Sequence, residues 1–493
     1  MNAEGLKEML SSSEVSTIIG ELKNGRYTSV PNVDPYKAEL DPSLHKVMDH
    51  GLRPDKLVKV GYDENIDTDD ETLIVNGDGS RSATKIVPVE RISLSLQRLI
   101  VERAVSFLFG NPLSVTADVE PDSKESEVFK AIKAVLRDAK TSSADRKVAR
   151  TLLSSTEVAE HWYPVQKSTN AYGFSSDFKL RMSIFSPLKG DTLYPYFDEW
   201  GDMIAFSREY TIEQNDNKQH TFFEMWTAEM HYKWVSGKGV WTMVEGYPIA
   251  NPIGKIPVIY GRQEEVEWKV VQNLIERLEV LLSNFADTND YHASPKIFIT
   301  GQIRGFAKKG ESGAVIEGED GATANYLSWN QAPEAIKLEI DTLLKMIYSL
   351  TQTPDISFDS VKGLNVSGVS LKMLFMDAHL KVKDKAEIFD EYMQRRMSVI
   401  QSYLALMNAR DTEFARACND LLVDVEIIPF MIEDDNSTIS TLMAATGQKA
   451  VMSQRTAIQS LGLVNDPDAE LERINEENSM MSMGDMMGQE PMM

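Results

Sequence analysis

The sequence predicts an α+β fold, on three observations. Apolar residues recur at helical spacing through most of residues 263–408. Between 158 and 258 that spacing gives way to short aromatic and β-branched runs bounded by turn residues. A glycine-rich insert, 293–332, separates the first long helix from the second.

Residues 1 to about 80 are polar and turn-rich, with an acidic run at 63–70, and predict short helices (one over 13–22) joined by long loops. Over 86–109, Ile92, Leu96, Leu99, Ile100, Val105 and Leu108 keep helical spacing until Gly110-Asn111-Pro112 stops it. Amphipathic helices are expected next, over 123–140 and 143–153. Six runs then read as antiparallel strands and hairpins: 159–164, 180–185, 203–206, 221–226, 230–234 and 240–244. Gly237-Lys238-Gly239 is the expected turn of one hairpin. A proline-punctuated extended run, 251–260, leads into the first long helix.

Three helices dominate the second half. Val266, Val270, Leu274, Leu278, Leu281, Leu282 and Phe285 form the first stripe. Ile336, Ile340, Leu343, Leu344, Ile347 and Leu350 form the second, opened by Pro333, whose fixed φ suits a first helical turn. The third starts near Ser367 as N-cap. Its stripe runs through Leu371, Leu374, Phe375, Ala378, Val382, Ala386, Phe389, Met393, Met397, Ile400, Leu404 and Met407. At 1.5 Å per residue it would be about 60 Å long. An ordinary globular domain has no room for such a rod, which implies a coiled coil or a subunit shaped to stand beside copies of itself. In the insert, Ile297-Phe298-Ile299 and Ala314-Val315-Ile316 read as strands and Lys308-Lys309 as a loop tip. It is too small to build its own core, so it is expected to complete itself against a neighbour. A strand over 421–430, a helical region over 437–477 and a Met-rich, disordered tail over 479–493 close the chain.

Composition narrows the function. The 493 residues, 42% of them hydrophobic, allow about two to four packed domains. No apolar run reaches the roughly 20 residues needed to cross a bilayer, and MNAEGLKEML lacks a secretory pattern. One cysteine, Cys418, can form neither an internal disulfide nor a thiolate zinc site, which suits a reducing cytoplasm. A net charge of −24 argues against tight non-specific DNA binding, although an acidic chain can let DNA pass without gripping it. There is no phosphate-binding loop, no G-x-G-x-x-G, no H-E-x-x-H and no Cys/His cluster with zinc spacing. No catalytic residue, metal or cofactor is expected.

Four stretches resemble the portal proteins of tailed bacteriophages, the head-tail connector family of siphophages. Ser367-Gly-Val-Ser-Leu-Lys-Met-Leu-Phe375, preceded by Thr353-Pro-Asp355, is similar to the family's SGVALKxxL opening of the long helix. Met452-Ser-Gln-Arg-Thr-Ala457 with Asp466-Pro-Asp-Ala-Glu-Leu-Glu-Arg-Ile474 is similar to its closing segment. Asn251-Pro-Ile-Gly-Lys-Ile-Pro-Val258 and Phe107-Leu-Phe-Gly-Asn-Pro112 complete the set, in family order. The chain departs from the family at the more charged Lys381-Val-Lys-Asp-Lys385 and in its Met-rich tail.

The resemblance implies a portal fold with clip, helical stem, α/β wing and helical crown, assembled as a ring of twelve. By analogy 1–255 is the N-terminal segment and wing, 256–292 a stem helix, 293–332 the clip and 333–352 the second stem helix. Residues 353–367 are then the tunnel loop, 368–430 the long wing helix and returning strand, 431–478 the crown and 479–493 the tail. The implied function is a channel at one capsid vertex of the virion, made in the host cytoplasm, through which double-stranded DNA is packaged and ejected. The implied partners are DNA in transit, copies of itself, the terminase large subunit, major capsid and scaffold proteins, and head-completion or adaptor proteins; no membrane is involved. The small polar Ser357, Ser360, Asn365 and Ser367, with Lys362, would meet the phosphates in the tunnel loop. Lys337 and Lys345 would line the stem, and Arg304, Lys308 and Lys309 would meet partners at the clip. Lys362 could equally be a solvated side chain and the loop a plain connector. Two other readings compete: a coiled-coil or scaffold-type capsid protein without a DNA channel, which the strands and insert oppose, and a packaging ATPase, which the missing phosphate loop opposes.

Overall fold

Period-two alternation in the aromatic strands and one long helical stripe set the architecture. The computed structural model describes residues 3–26, 28–59, 73–75, 81–213, 219–237, 239–293, 296–300, 303–305, 317–318, 323–327, 332–355, 373, 375–430, 435–447, 450–461 and 469–477. The chain divides into two units: Met1–Pro354 with Ala378–Pro429, and Asp355–Asp377 with Phe430–Met493.

The larger unit opens with helices α1 (Ala3–Ser12), α2 (Val15–Asn24) and α3 (Asp34–Leu40). Where loops and then a helix from residue 86 were expected, a three-stranded antiparallel sheet forms from β1 (Lys56–Lys59), β2 (Leu73–Val75) and the central β3 (Arg81–Val87). Val87 precedes Pro88, which biases it to extended backbone and bars a helix across that point. Helix α4 therefore spans only Leu96–Phe109. A short strand, β4 (Ser114–Thr116), precedes α5 (Lys124–Asp138), whose N-cap Ser123 accepts from the Ser126 N–H, and α6 (Thr141–Ser155) follows.

All six expected runs fall on strands. β5 (Glu157–Thr169) pairs with β6 (Ser176–Phe185) on one side and with β13 (Val258–Arg262) on the other. A meander holds β7 (Thr192–Phe197), β8 (Met203–Glu213), β9 (Gln219–Thr227), β10 (Met230–Gly237) and β11 (Val240–Met243), with β12 (Ile249–Ala250) also on β10. β7 was not foreseen because Pro195 interrupts it; it pairs only with β8, and an edge strand tolerates proline. The β10–β11 turn holds Gly239 at φ +83, a conformation that favours glycine.

Successive residues of the meander go to opposite faces. Tyr194, Ala205, Phe223 and Met225 join Leu6, Ile18, Ile19 and Leu22 of α1 and α2 in one core cluster. Leu193, Phe206 and Trp226 join Ala159, Phe185, Ile256 and Val258 in another. A sheet buried on both faces explains the near-continuous apolar runs.

The long helices differ from expectation in instructive ways. Residues 263–271 are not regular α-helix: the Gln263 and Glu267 N–H groups donate to the Thr156 and Leu153 carbonyls at the end of α6, satisfying oxygens which that helix cannot use itself. Helix α7 thus spans Gln272–Ala293. Of the expected stripe Val266, Leu278 and Leu281 are buried and Leu274, Leu282 and Phe285 half-buried, but Val270 is 60% exposed, and Val271 and Ile275 are buried where Val270 and Leu274 were expected. In the insert β14 (Lys296–Thr300) pairs with β17 (Thr323–Leu327), and β15 (Ile303–Gly305) with β16 (Glu317–Gly318). The expected strand at Ala314-Val315-Ile316 lies outside the described residues. Helix α8 spans Ala332–Leu350.

Helix α9 (Met376–Met407) has 32 residues, about 48 Å. Phe375, Ala378, Val382, Phe389, Met393, Met397, Ile400 and Leu404 are buried, as the stripe predicts. The coiled-coil expectation fails here, because the rod is a core element of its own chain. Phe389 meets Phe109 of α4 edge-on at 5.1 Å, and the Tyr403 hydroxyl donates to the Trp162 carbonyl of β5 at 3.0 Å. Helix α10 (Thr412–Asp420), N-capped by Asp411, follows; β18 (Asp424–Glu426), pairing with β4, is all that forms of the strand expected over 421–430. In the smaller unit, α11 (Asp435–Thr446) and α12 (Gln454–Leu461) are helical.

Candidate functional site

The helix pair α7–α8 is the candidate, and its geometry begins with what anchors α7. Glu279, Ser283 and Asp287 recur every four residues and so share one face. His45 Nδ1 lies 2.6 Å from Glu279 Oε1, to which the Leu94 N–H also donates at 2.8 Å. The Ile92 N–H donates to Ser283 Oγ at 2.9 Å. Asp287 takes the Glu90 N–H at 2.8 Å and pairs with Arg53 at 3.0 Å and Lys56 at 3.2 Å. A row that sequence alone reads as solvated is thus a polar seam to residues 45–94. The hydrogen bond to Glu279 raises the His45 pKa. Arg277 pairs with Glu339 of α8 at 2.8 Å.

α8 buries Ile347 and leaves two neighbouring rows in solvent. Lys337, Asp341 and Lys345 form one; Leu338, Met346 and Leu350, 68%, 49% and 58% exposed, lie along the other. Three apolar side chains facing water along one helical row, interrupted by Thr342, are a surface awaiting cover.

The base of the pair is clamped from α9. Lys381 Nζ reaches Glu267 Oε2 at 2.7 Å and the Thr351 carbonyl at 2.9 Å, and Lys385 reaches Glu267 Oε1 at 2.7 Å. Burial pushes the Glu267 carboxyl up, but the two ammonium groups outweigh it and hold its pKa below the ordinary value. Of the extra charge at 381–385, Lys381 and Lys385 are therefore internal wiring, while Lys383 and Asp384 are exposed. Arg103 Nη1 donates to the Pro354 carbonyl at 2.6 Å.

Deeper, Arg396 of α9 is wholly buried. Its guanidinium forms a fork to Glu160 of β5, 2.8 and 2.6 Å, and reaches Asp145 of α6 at 2.6 Å. Trp162 Nε1 and the Tyr392 hydroxyl also donate to Glu160. Burial alone would depress the guanidinium pKa; Asp145 and Glu160 raise it instead, so the arginine stays charged. Sequence reasoning missed this centre, although one signal was present: Arg396 sits on the apolar face between Met393 and Met397.

Of the site residues read from sequence, Lys337 and Lys345 lie one row apart from the apolar stripe on α8, exposed. Arg304 lies on β15. Ser357, Ser360, Lys362, Asn365, Ser367, Lys308 and Lys309 all lie outside the described residues. Among the described residues no group of three or more His, Cys, Asp or Glu side chains could hold a metal ion, and no helix is long and apolar enough to cross a membrane.

A family model described as "Phage portal protein, SPP1 Gp6-like" matches residues 45–483. The chain belongs to this family. Portal proteins of this kind are structural rather than enzymatic. Among solved structures, the portal chain is similar to one from the "Virion of native gene transfer agent (GTA) particle". That match has TM-score 0.38 and 9% identity, and covers 75% of this chain and 88% of the other. It is also similar to a chain from the "Neck of empty GTA particle computed with C6 symmetry", with TM-score 0.38 and 10% identity, covering 75% and 89%. No curated protein matches the chain.

Proposed function

We propose that copies of this portal protein close into a ring, about twelve around, whose channel passes double-stranded DNA into and out of a phage head at one vertex of the virion. The observation that carries this reading is the pair of unlike rows on α8. Closed rings need side-by-side contacts between different surfaces of identical subunits. The apolar row, Leu338, Met346 and Leu350, packs against the next copy, where burial repays its exposure. The charged row, Lys337, Asp341 and Lys345, faces a water-filled channel. Two cations spaced by a carboxylate give weak, exchangeable contact with phosphates, which suits a moving polyanion better than a dense basic patch.

In this reading α7 and α8 are the stem. The insert, with Arg304, Lys308 and Lys309, is the clip that meets the terminase large subunit during packaging and head-completion or adaptor proteins afterwards. Residues 353–367, with Ser357, Ser360, Lys362, Asn365 and Ser367, form the narrowest part of the channel. Major capsid and scaffold proteins surround the wing. The subunit is made in the host cytoplasm and performs no chemistry of its own. Negative-stain imaging of the purified protein tests the proposal: rings with a central hole are expected, and rods or single copies under all assembly conditions contradict it. Within such rings, Lys362→Ala is expected to alter packaging rate or its salt dependence; an unchanged rate at every salt concentration removes Lys362 from the channel's working surface.

A further inference from the structure

At the base of the proposed stem helices lies an open groove of about 1370 Å³, part of it bulk solvent. Its rim carries Glu264, Glu265, Asp384 and Glu387, all exposed and none in an ion pair among the described residues. Lys381 and Lys385, which also line it, are taken up by Glu267, leaving Arg262 as the cation there. Val270 and Leu350, 60% and 58% exposed, give it an apolar lining. The lining also holds Gln263, a side chain in a residue only 6% exposed. Its Oε1 accepts from Lys385 at 3.3 Å, but its Nε2 has no hydrogen-bond partner. That donor is closed to solvent in the free chain, so it belongs to the groove wall and is not a contact that an incoming chain reaches. The groove therefore asks for two things at once: cations and apolar contact.

The chain carries a surface that offers them. Around the corner joining α5 to α6, Lys133, Arg137, Lys140, Arg146 and Lys147 are exposed, and none is in an ion pair among the described residues. The two carboxylates of that stretch are already engaged, Asp138 with Lys179 and Asp145 with Arg396, each at 2.6 Å. The lysine and arginine stems supply apolar contact, whereas the Val135, Leu136 and Arg137 carbonyls of the last α5 turn are already taken by the Ala139 N–H, the Thr141 hydroxyl and the Lys140 N–H. In a chain of net charge −24 this is an unusual concentration of positive charge. Subunits so acidic repel one another unless the touching surfaces are locally complementary.

We propose that the basic α5–α6 corner of one copy seats in the acidic groove of the next. This assignment rests on the ring reading above and names the pair of surfaces that would hold the ring together. Groove and corner are different patches of one chain, as a ring-closing contact requires.

Charge reversal tests it in the full chain. Because none of the residues is in an ion pair, a groove variant, E264K/E265K/E387K, and a corner variant, K140E/R146E/K147E, are expected to fold with the wild-type Tm. Each alone should raise the assembly midpoint concentration about tenfold or more, read by native mass spectrometry. Both sets in one chain should restore rings. So should a one-to-one mixture of the two defective variants, as alternating subunits, because every contact is then again between opposite charges. Wild-type assembly by each single variant overturns the proposal. So does loss of assembly that neither combination rescues, or loss from the corner variant alone, which would assign that corner to a contact with some surface other than the groove. A wild-type chain that never forms rings fails at the earlier step and takes this contact with it.

Discussion

The α9–β5–α6 core and the α7–α8 pair treat exposure in opposite ways. In the core, charge is buried and every charged partner is supplied by the same chain: Arg396 has Glu160 and Asp145. On α8 of the helix pair, charge lies outside and apolar side chains face water: Leu338 is 68% exposed while Glu339 beside it pairs with Arg277 of α7. The difference teaches where the chain is self-sufficient. The α9–β5–α6 core is a finished body, held by desolvated ion pairs that tolerate no loss. The α7–α8 pair leaves an apolar row uncovered, which in the proposed ring is covered by the next copy of the chain.

The comparison breaks most visibly at Arg396. Arg396→Met strands two buried carboxylates and is expected to cost about 3–5 kcal/mol, measured as a shift in the urea unfolding midpoint; a loss under about 1 kcal/mol would mean the wing core does not depend on this centre. Acid should come next. Burial lowers the His161 pKa to about 3 and that of His231 to about 4, with Arg208 and His231 adding to the first and Lys233 to the second, against a partial opposing effect of Glu224 on His231. Both are neutral in the fold, so their contribution is complete above about pH 6.5 and is lost as pH falls toward those values. The slope approaches about 1.4 kcal/mol per pH unit for each histidine. His45 carries the opposite sign: its raised pKa contributes below about pH 6.5, and that contribution disappears as pH rises through the folded value. Thermal melts of wild type and His161→Phe across pH 4.5–8 should separate the wing's acid loss, which the variant reduces, from the stem anchor's alkaline loss, which it leaves alone.

Smaller effects sharpen the boundary between the two regions. Glu267→Gln, where clamp and stem meet, should cost about 1–3 kcal/mol and increase hydrogen exchange in residues 350–355 more than in β5. Arg277→Ala, at a pair half open to solvent, should cost under about 1 kcal/mol. Leu338→Ser with Met346→Ser should leave a single chain within about 0.5 kcal/mol of wild type by denaturation while preventing ring formation.

Much of the wing was legible because local pattern and burial agree there. The α9 stripe, the six strands and the caps at Ser123 and Asp411 follow from spacing and turn chemistry. What stayed hidden depended on distant partners. The N–H groups of residues 263–267 leave the helix for the α6 carbonyls, a choice no local propensity encodes. Glu279, Ser283 and Asp287 look like a solvated face until residues 45–94 arrive. At the candidate site, Lys337 and Lys345 could be placed on an exposed face from spacing. The apolar row beside them could not: Leu338 and Met346 fall off the stripe that the α8 pattern marks as core, and Leu350, which that pattern counts as core, is 58% exposed.

The most direct measurement uses the lone native cysteine as a silent background. Cys418 is 1% exposed and burial pushes its thiol pKa up to about 12, so it should not react. Leu338→Cys and Lys345→Cys chains would be labelled with maleimide below and above the assembly concentration. The account predicts rapid labelling of both in the free chain, protection of position 338 alone in the assembled state, and continued reaction at 345 through the channel. Equal labelling of both positions in assembled material would contradict it.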